Sequence, residues 1–327
     1  MKPLYLCDYS NMVYRFISVY HVMRDIGGIE YNVSVPFGFI RSLKSNPFRD
    51  IHICLDGYPE VSTTILPSYK GQRLKEPSEG LLFPKKELIK FLTKIGERIG
   101  KNIKVVCSAG QEADQVIASQ AYQVCGGVTA LKARIANFSR KEPASDFTLQ
   151  RFLTNDYQYS DIDLSEYDSV VVGTTDSDMY QLLSLENVMI DTSTSGKNFN
   201  FGEYTPKAVS GIVPSAIAVY KSFVGDNSDN VPPVELHIRK DKLVDVINKH
   251  LQTTDLFDKF IISVTRNEKF DDKGLQEVAN ALIKYNSIEK LKLNSRVVRL
   301  GFISTPYQIQ FEDYDLDEIL AKYKLKL

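Results

Sequence analysis

Four short apolar runs in the first half of the chain are predicted to be buried β-strands. They are rich in β-branched and other apolar residues and are too short to be core helices. The stretches between them place apolar residues at helical spacing, as at Met12, Phe16 and Tyr20. Strands that alternate with helices predict an α/β fold, with a parallel central sheet flanked by helices. The four runs are Pro3–Cys7, Asp50–Leu55, Ile103–Cys107 and Ser169–Gly173.

Carboxylates follow each of these four strands. A single aspartate after a strand is commonplace, because aspartate caps helices and begins turns. Six carboxylates after four strands are poorly explained by capping, and the carboxyl ends of parallel strands share one edge of a sheet. The six are Asp8, Asp56, Glu112, Asp114, Asp176 and Asp178.

Carboxylates that meet at one edge need positive charge among them. Like charges a few ångströms apart cost several kcal/mol or force protonation. Oxygen ligands suit hard, hydrated cations. The sequence therefore predicts that divalent Mg²⁺ or Mn²⁺ is bound at this edge.

Composition is that of a globular protein, with 327 residues of which 43% are hydrophobic and 25% charged. The sequence has no apolar run near the roughly 18 residues of a membrane span, and its start lacks a signal-peptide pattern. We therefore expect a cytoplasmic protein without a membrane partner. The four cysteines form no C-x-x-C pair and are expected to be core residues.

The stretch from Tyr58 to Gly100 differs in composition from the strands and helices before it, and two interpretations of it remain open. Tyr69, Lys70 and Arg73 form a basic and aromatic cluster, the segment E-P-S-E-G breaks the chain, and a lysine-rich amphipathic helix follows from about residue 84. One interpretation is a solvated loop with a surface helix. The other is a basic flap over the acidic edge, with cations that hold phosphate oxygens.

The remainder of the chain contains a second acidic turn and a helical region. The helix that carries Glu112 is predicted to end at Gly126, and the polar insert at 128–167 suggests no role. A short strand at Val188–Ile190 and a predicted hairpin lead on to G-D-N-S-D-N, where Asp226 and Asp229 alone indicate only a turn. Predicted helices in the last third are Lys242–Leu251, Leu256–Val264, Leu275–Tyr285 and Leu316–Tyr323.

The net charge of −1 does not exclude a nucleic-acid partner. The eight acids named above leave the rest of the chain at about +7. A surface that faces a ligand can therefore be positive, particularly after cations bind among those acids.

Six motifs in order over residues 4–232 resemble the 5′→3′ exonuclease and flap endonuclease family. Each motif alone is weak. They are L-C-D-Y-S-N (6–11), L-D-G (55–57), Y-K-G-Q-R (69–73), E-A-D-Q (112–115), T-T-D-S-D (174–178) and G-D-N-S-D-N-V-P (225–232). The resemblance implies a PIN-like sheet with a helical arch, here about 66–100, and a nuclease that leaves 5′-phosphate products.

The resemblance also implies two Mg²⁺ or Mn²⁺ ions, held by two groups of carboxylates that act by two-metal phosphodiester hydrolysis. Lys70 and Arg73 match its phosphate-contacting catalytic residues, and Tyr69 lies beside them. Tyr14 matches an aromatic residue that stacks on a base, with core packing as the alternative. The first group would be Asp8, Asp56, Glu112 and Asp114, and the second Asp176, Asp178, Asp226 and Asp229.

Two departures from the family pattern stand out. Gln115 replaces a further aspartate, which would weaken metal binding. The glycine-rich hairpin expected after Asn230 is missing, so duplex contacts would fall to side chains. A missing hairpin and the C-terminal sequence are also similar to the ribonuclease H branch of T-even phages, which removes RNA primers. The side chains that would contact the duplex are His237, Arg239, Lys240 and Lys242.

These features predict a nuclease core at 1–229 and a mostly helical, duplex-binding region at 230–327. The expected partners are 5′ flaps or RNA–DNA hybrids, with a sliding clamp or single-strand-binding protein as further candidates, for a monomer in a phage-infected bacterial cell. The alternatives are a catalytically weakened DNA-binding scaffold and a sugar-nucleotide transferase that uses D-S-D, although the transferase leaves Asp8, Asp56 and Glu112 unexplained.

Overall fold

The computed structural model describes residues 2–71, 84–126, 157–192, 198–199, 211–300, 306–311 and 315–327. The fold is α/β, with helices on both faces of a mostly parallel, eight-stranded sheet. The strands are β1 (Pro3–Asp8), β2 (Met23–Ile26), β3 (Ile29–Asn32), β4 (Asp50–Cys54), β5 (Asn102–Cys107), β6 (Tyr157–Asp161), β7 (Ser169–Gly173), β8 (Val188–Asp191), β9 (Asn198–Phe199) and β10 (Tyr307–Phe311).

The eight strands follow the order β6-β10-β5-β4-β1-β7-β8-β9, and β2 and β3 pair separately. The strands β5, β4, β1, β7 and β8 are parallel neighbours. At the ends of the sheet, β10 runs antiparallel to β5 and β6, and β9 runs antiparallel to β8. The four predicted strands are thus the adjacent central strands, and the predicted fold class is confirmed.

Eleven α-helices are described in these parts of the chain, and two 3-10 helices at Ser177–Ser184 and Pro214–Ala216 accompany them. The α-helices are α1 (Tyr9–Val19), α2 (Ser34–Ser45), α3 (Glu60–Ile65), α4 (Lys85–Ile99), α5 (Ala113–Cys125), α6 (Ile217–Val224), α7 (Lys240–His250), α8 (Thr254–Thr265), α9 (Lys273–Lys284), α10 (Ile288–Val298) and α11 (Leu316–Lys322).

Each face of the sheet has its own hydrophobic core. One core joins the sheet to α5, α6 and the helices that follow, through residues such as Ile117 and Phe223. The other joins the sheet to α1, α2, α4 and α11, through residues such as Phe16, Phe39 and Phe91. The apolar spacing predicted for the first helix is confirmed, because Met12 and Phe16 are buried there.

The second half of the range predicted as the arch, about 66–100, packs against the sheet. Residues Lys85–Ile99 form α4, whose Leu88, Phe91 and Leu92 are buried in the core beside β5 and β10. The lysines of α4 lie on its outer side because its apolar stripe is fully used for packing. Residues 72–83 lie outside the described residues, as do residues 127–156 of the insert.

Two elements of the last third, which was predicted to be mostly helical, were not among the predicted ones. Ile288–Val298 forms an additional helix, α10, and Tyr307–Phe311 forms β10, which inserts between β5 and β6. Four predicted helices of this region are present as α7, α8, α9 and α11. Among the described residues, no helix is long and apolar enough to cross a membrane.

Candidate metal-binding active site

The carboxyl ends of the central strands meet at one edge of the sheet. In the register of the sheet, Asp8 of β1 lies opposite Cys54 of β4, and Cys7 lies opposite Gly173 of β7. The residues that follow these strand ends therefore emerge side by side. The acids predicted from the sequence follow at this edge.

Hydrogen bonds from residues in the first turns of α1 and α5 hold the side chains of Asp8 and Asp56 in place. Asp8 caps α1 and accepts a hydrogen bond from the Asn11 backbone amide at 3.0 Å. Asp56 accepts hydrogen bonds from the Ser10 hydroxyl and, at 3.0 Å, from the Ala113 amide. Burial, followed by the charge of Asp56, raises the pKa of Asp8 to about 7. Burial and the neighbouring carboxylate therefore both favour the protonated form of Asp8.

Glu112 and Asp114 lie at the N-terminus of α5 beside the same two aspartates. Burial raises the pKa of Glu112, and the nearby Lys70 ammonium offsets part of that effect. Burial and the charge of Glu112 raise the pKa of Asp114 well above its usual range. The charges of Asp56 and Asp176 also act on Asp114, so acids from three different strand ends share this space.

Lys70 and Tyr69 connect Glu112 with Asp229. The Lys70 Nζ lies 2.5 Å from Glu112 Oε1 and 3.7 Å from Asp229 Oδ1. The Tyr69 hydroxyl lies 3.0 Å from an oxygen of each acid. Lys70 has a left-handed backbone with φ of 52°, and its amide donates to the Asp229 carbonyl oxygen at 2.9 Å. This backbone contact holds the strained residue in place.

Three carboxylates offer a compact set of oxygen ligands. One oxygen from each of Asp178, Asp226 and Asp229 lies within 4.8 Å of the others, and this is the one such group among the described residues. The Lys221 ammonium contacts Asp178, and it lies 2.7 Å from Asp226 Oδ2. Burial alone would raise the pKa of Asp226, but hydrogen bonds from Lys221 and Ser228 outweigh it and lower that pKa.

Asp176 joins the two parts of the edge. It is exposed, and it caps the 3-10 helix by accepting a hydrogen bond from the Asp178 amide at 2.9 Å. Its charge contributes to the raised pKa of Asp8. Since Asp229 contacts both Tyr69 and the oxygens of Asp178 and Asp226, the eight acids form one continuous cluster around Lys70 and Lys221.

Comparison with solved structures finds the same architecture in proteins of bacteriophage T5. A T5 protein co-crystallised with metal ions has a TM-score of 0.54 and 18% identity, over 91% of this chain and 90% of its own. The T5 5′-exonuclease with bound divalent zinc ions has a TM-score of 0.52 and 19% identity, over 91% and 90%.

A complex of the T5 flap endonuclease with DNA and metal ions has a TM-score of 0.50 and 18% identity, over 91% of this chain and 89% of its own. The chain has the T5 5′-exonuclease fold. A scan against protein-family models finds no match, and neither does a search of curated proteins.

On this fold, the structure distinguishes the two predicted tyrosines. The Tyr14 side chain is 61% exposed on α1, so the alternative of core packing is wrong. It lies one helical turn after Ser10, which contacts Asp56. Tyr69 is instead buried at 6% exposure, with its hydroxyl on two acids. Its position favours a role in holding the acids rather than in direct contact with a nucleic acid.

The remaining predicted residues have contacts with other partners than the site acids, or lie outside the described residues. Arg239 pairs with Asp241 at 2.9 Å, Lys242 pairs with Glu277, and Lys240 lies 5.9 Å from the centre of the Tyr220 ring. All three cations are at the start of α7. Arg73 lies outside the described residues.

Gln115, at the position of the expected further aspartate, is buried, and its amide donates to the Arg299 carbonyl oxygen at 3.3 Å. The sequence analysis missed Lys221, Ser10 and Ser228, which donate directly to site acids. The sequence signal for these three was weak, since a lysine within a helix, a serine in the first turn of a helix and a serine in a polar turn are usually surface residues.

Proposed function

We propose that the chain is a metal-dependent, structure-specific 5′ nuclease that acts on 5′ flaps and on the 5′ ends of DNA and RNA–DNA hybrids. The observation that supports this most is the cluster of eight carboxylates around two lysines at the carboxyl edge of a T5 5′-exonuclease fold. Removal of RNA primers during phage replication is the corresponding biological role, with a sliding clamp or single-strand-binding protein as candidate partners of a monomer.

The ligand set fits two Mg²⁺ or Mn²⁺ ions. The candidate ligands are all carboxylate oxygens, which hard divalent cations prefer. Burial first, and then the charge of neighbouring acids, raise the pKa of Asp8 and of Asp114, and a bound cation would favour their charged forms. When bound, such ions generate hydroxide and stabilise charge on the phosphate. Asp178, Asp226 and Asp229, with Asp176, would hold one ion, and the acids around Asp8 the other.

The chain's own cations and aromatic residues would orient the substrate. Lys70 and Arg73 would contact phosphate oxygens beside the acids, and Tyr14 presents an exposed ring suited to any base. Tyr69 would hold Glu112 and Asp229 in place. Arg239, Lys240 and Lys242 at the start of α7 would contact the duplex backbone without reading sequence.

The decisive test uses a labelled 5′-flap substrate, with Mg²⁺ or with EDTA, and the variant Asp176→Asn. We expect cleavage with Mg²⁺ alone, and a loss of at least about 100-fold in the variant, because one ligand charge is removed while the cap remains. Binding of the duplex should persist in the variant.

The matched control is Asp315→Asn. Asp315 is also an exposed cap that accepts a hydrogen bond from the amide two residues later, at 2.8 Å, but it lies at the start of α11. Its activity should equal that of the unsubstituted protein. Equal recovery of intact flap with Mg²⁺ and with EDTA, together with retained DNA binding, would instead support the catalytically weakened scaffold.

A further inference from the structure

Lys221 lies on a helix that packs in the hydrophobic core, and its side chain extends to the acidic edge. It lies on α6 between Tyr220 and Ser222, which are both buried. Its own side chain is 14% exposed. The Nζ contacts Asp178 Oδ1 and lies 2.7 Å from Asp226 Oδ2. A lysine held in this way is part of the site rather than a solvated surface residue.

The three carboxylates of the compact ligand set are already paired with ammonium groups. Lys221 pairs with Asp178 and Asp226, and Lys70 lies 3.7 Å from Asp229. A divalent cation that binds this set must therefore share its ligands with these ammonium groups or displace them. Two like charges close together in a half-buried site repel each other strongly.

We propose that Lys221 is a resident counter-ion that competes with the divalent cation at Asp178, Asp226 and Asp229. It holds these carboxylates together before metal binds, and it weakens the affinity of the set for metal. The inference rests on the proposed metal-dependent function, but it assigns to Lys221 a task that the acids alone do not imply.

Two effects of opposite sign follow from this assignment. Without the ammonium, three crowded carboxylates lose a compensating charge, so the metal-free protein becomes less stable. The same carboxylates then attract a divalent cation more strongly, since no ammonium opposes it. A purely structural lysine would give the first effect without the second.

The test measures Mn²⁺ binding by titration calorimetry and by the rise in melting temperature on adding Mn²⁺. In Lys221→Met, which removes the charge and keeps most of the side-chain length, we expect about tenfold tighter Mn²⁺ binding and a larger metal-induced rise. Lys221→Arg keeps the charge and should bind Mn²⁺ within about twofold of the unsubstituted protein.

Lys292→Met is the matched control, because Lys292 is also paired with an acid, Glu289, at 2.7 Å, but on α10 outside the acidic edge. Its Mn²⁺ affinity should not change. Unchanged or weaker Mn²⁺ binding in Lys221→Met would overturn the inference while leaving the proposed function intact. If the unsubstituted protein binds no Mn²⁺, both the inference and the proposed function are wrong.

Discussion

A few individual residues partly neutralise the negative charge of the acidic edge. Lys70 and Lys221 each contact two carboxylates, and the Tyr69 hydroxyl lies within hydrogen-bond distance of one oxygen of Glu112 and one of Asp229. Burial, followed by the charge of Asp56, nevertheless raises the pKa of Asp8 to about 7. In the proposed function, a divalent cation would stabilise the charged form of these carboxylates.

Replacement of Lys70 tests its role at this scale. In Lys70→Ala, we expect a single-turnover cleavage rate slower by about two orders of magnitude, as for the loss of one charge-stabilising donor. The measurement is rapid-quench cleavage of a 5′ flap at saturating enzyme. Lys259→Ala, at an exposed position on α8, should not change the rate. An unchanged rate in Lys70→Ala would make Lys70 an ordinary loop residue.

The sequence predicted the positions of the acids in the candidate site better than it predicted which residues pair with them. The positions of Asp8, Asp56 and Glu112 could be predicted, because each lies at or within two residues of a strand end or caps a helix. Lys221 could not be found, since a lysine in a helix usually faces solvent. Its burial depends on how α6 packs, which is a tertiary property.

Among the secondary-structure elements, β10 shows that a sequence pattern can indicate a strand without indicating which strands it pairs with. Its residues alternate as Y-Q-I-Q-F, with Tyr307, Ile309 and Phe311 buried and Gln310 exposed. This period of two is typical of a strand. The partners β5 and β6 are far away in sequence, so nothing local indicates that the segment returns to the N-terminal sheet. Similarly, α4 has lysines that suggest a surface helix, although its apolar stripe is buried.

Substitutions at adjacent positions of β10 test this pairing. Ile309 is 0% exposed, so Ile309→Ala should lower the free energy of unfolding by about 2–5 kcal/mol. Gln310→Ala, one residue later and on the exposed side, should change it by less than about 0.5 kcal/mol. Urea unfolding followed by circular dichroism provides the comparison. Equal effects at the two positions would contradict a buried β10.

At the scale of the whole molecule, one buried histidine makes global stability depend on pH. His52 on β4 is 0% exposed, and its Nδ1 lies 2.6 Å from Gln120 Oε1. Its Nε2 has no hydrogen-bond partner among the described residues. Burial lowers the pKa of His52 to about 4. The folded protein therefore keeps this imidazole neutral.

The sign of the effect follows from proton binding. Below the unfolded-state pKa of about 6.5, the unfolded chain binds a proton that the folded protein excludes until the pH nears 4. Stability from this group is complete above pH 6.5 and is lost as the pH falls. Between pH 7.5 and pH 5, the loss should be about 2 kcal/mol.

Urea unfolding at these two pH values checks this expectation. His52→Gln should remove about 2 kcal/mol of the pH-dependent difference in unfolding free energy, whereas His237→Gln, at an exposed position, should leave it unchanged. The comparison cancels the contributions of the other titrating groups. The same pH dependence in His52→Gln and in the unsubstituted protein would show that His52 is not held neutral.

The position of β10 between β5 and β6 determines when the sheet can be completed during synthesis on the ribosome. β10 begins 200 residues after β5 ends, yet it is the strand that joins β5 to β6. While the nascent chain emerges, both strands keep an open backbone edge until that late segment appears. The sheet is therefore completed long after the acidic edge has been translated, and the unpaired strand edges are the point at which premature release would lead to aggregation.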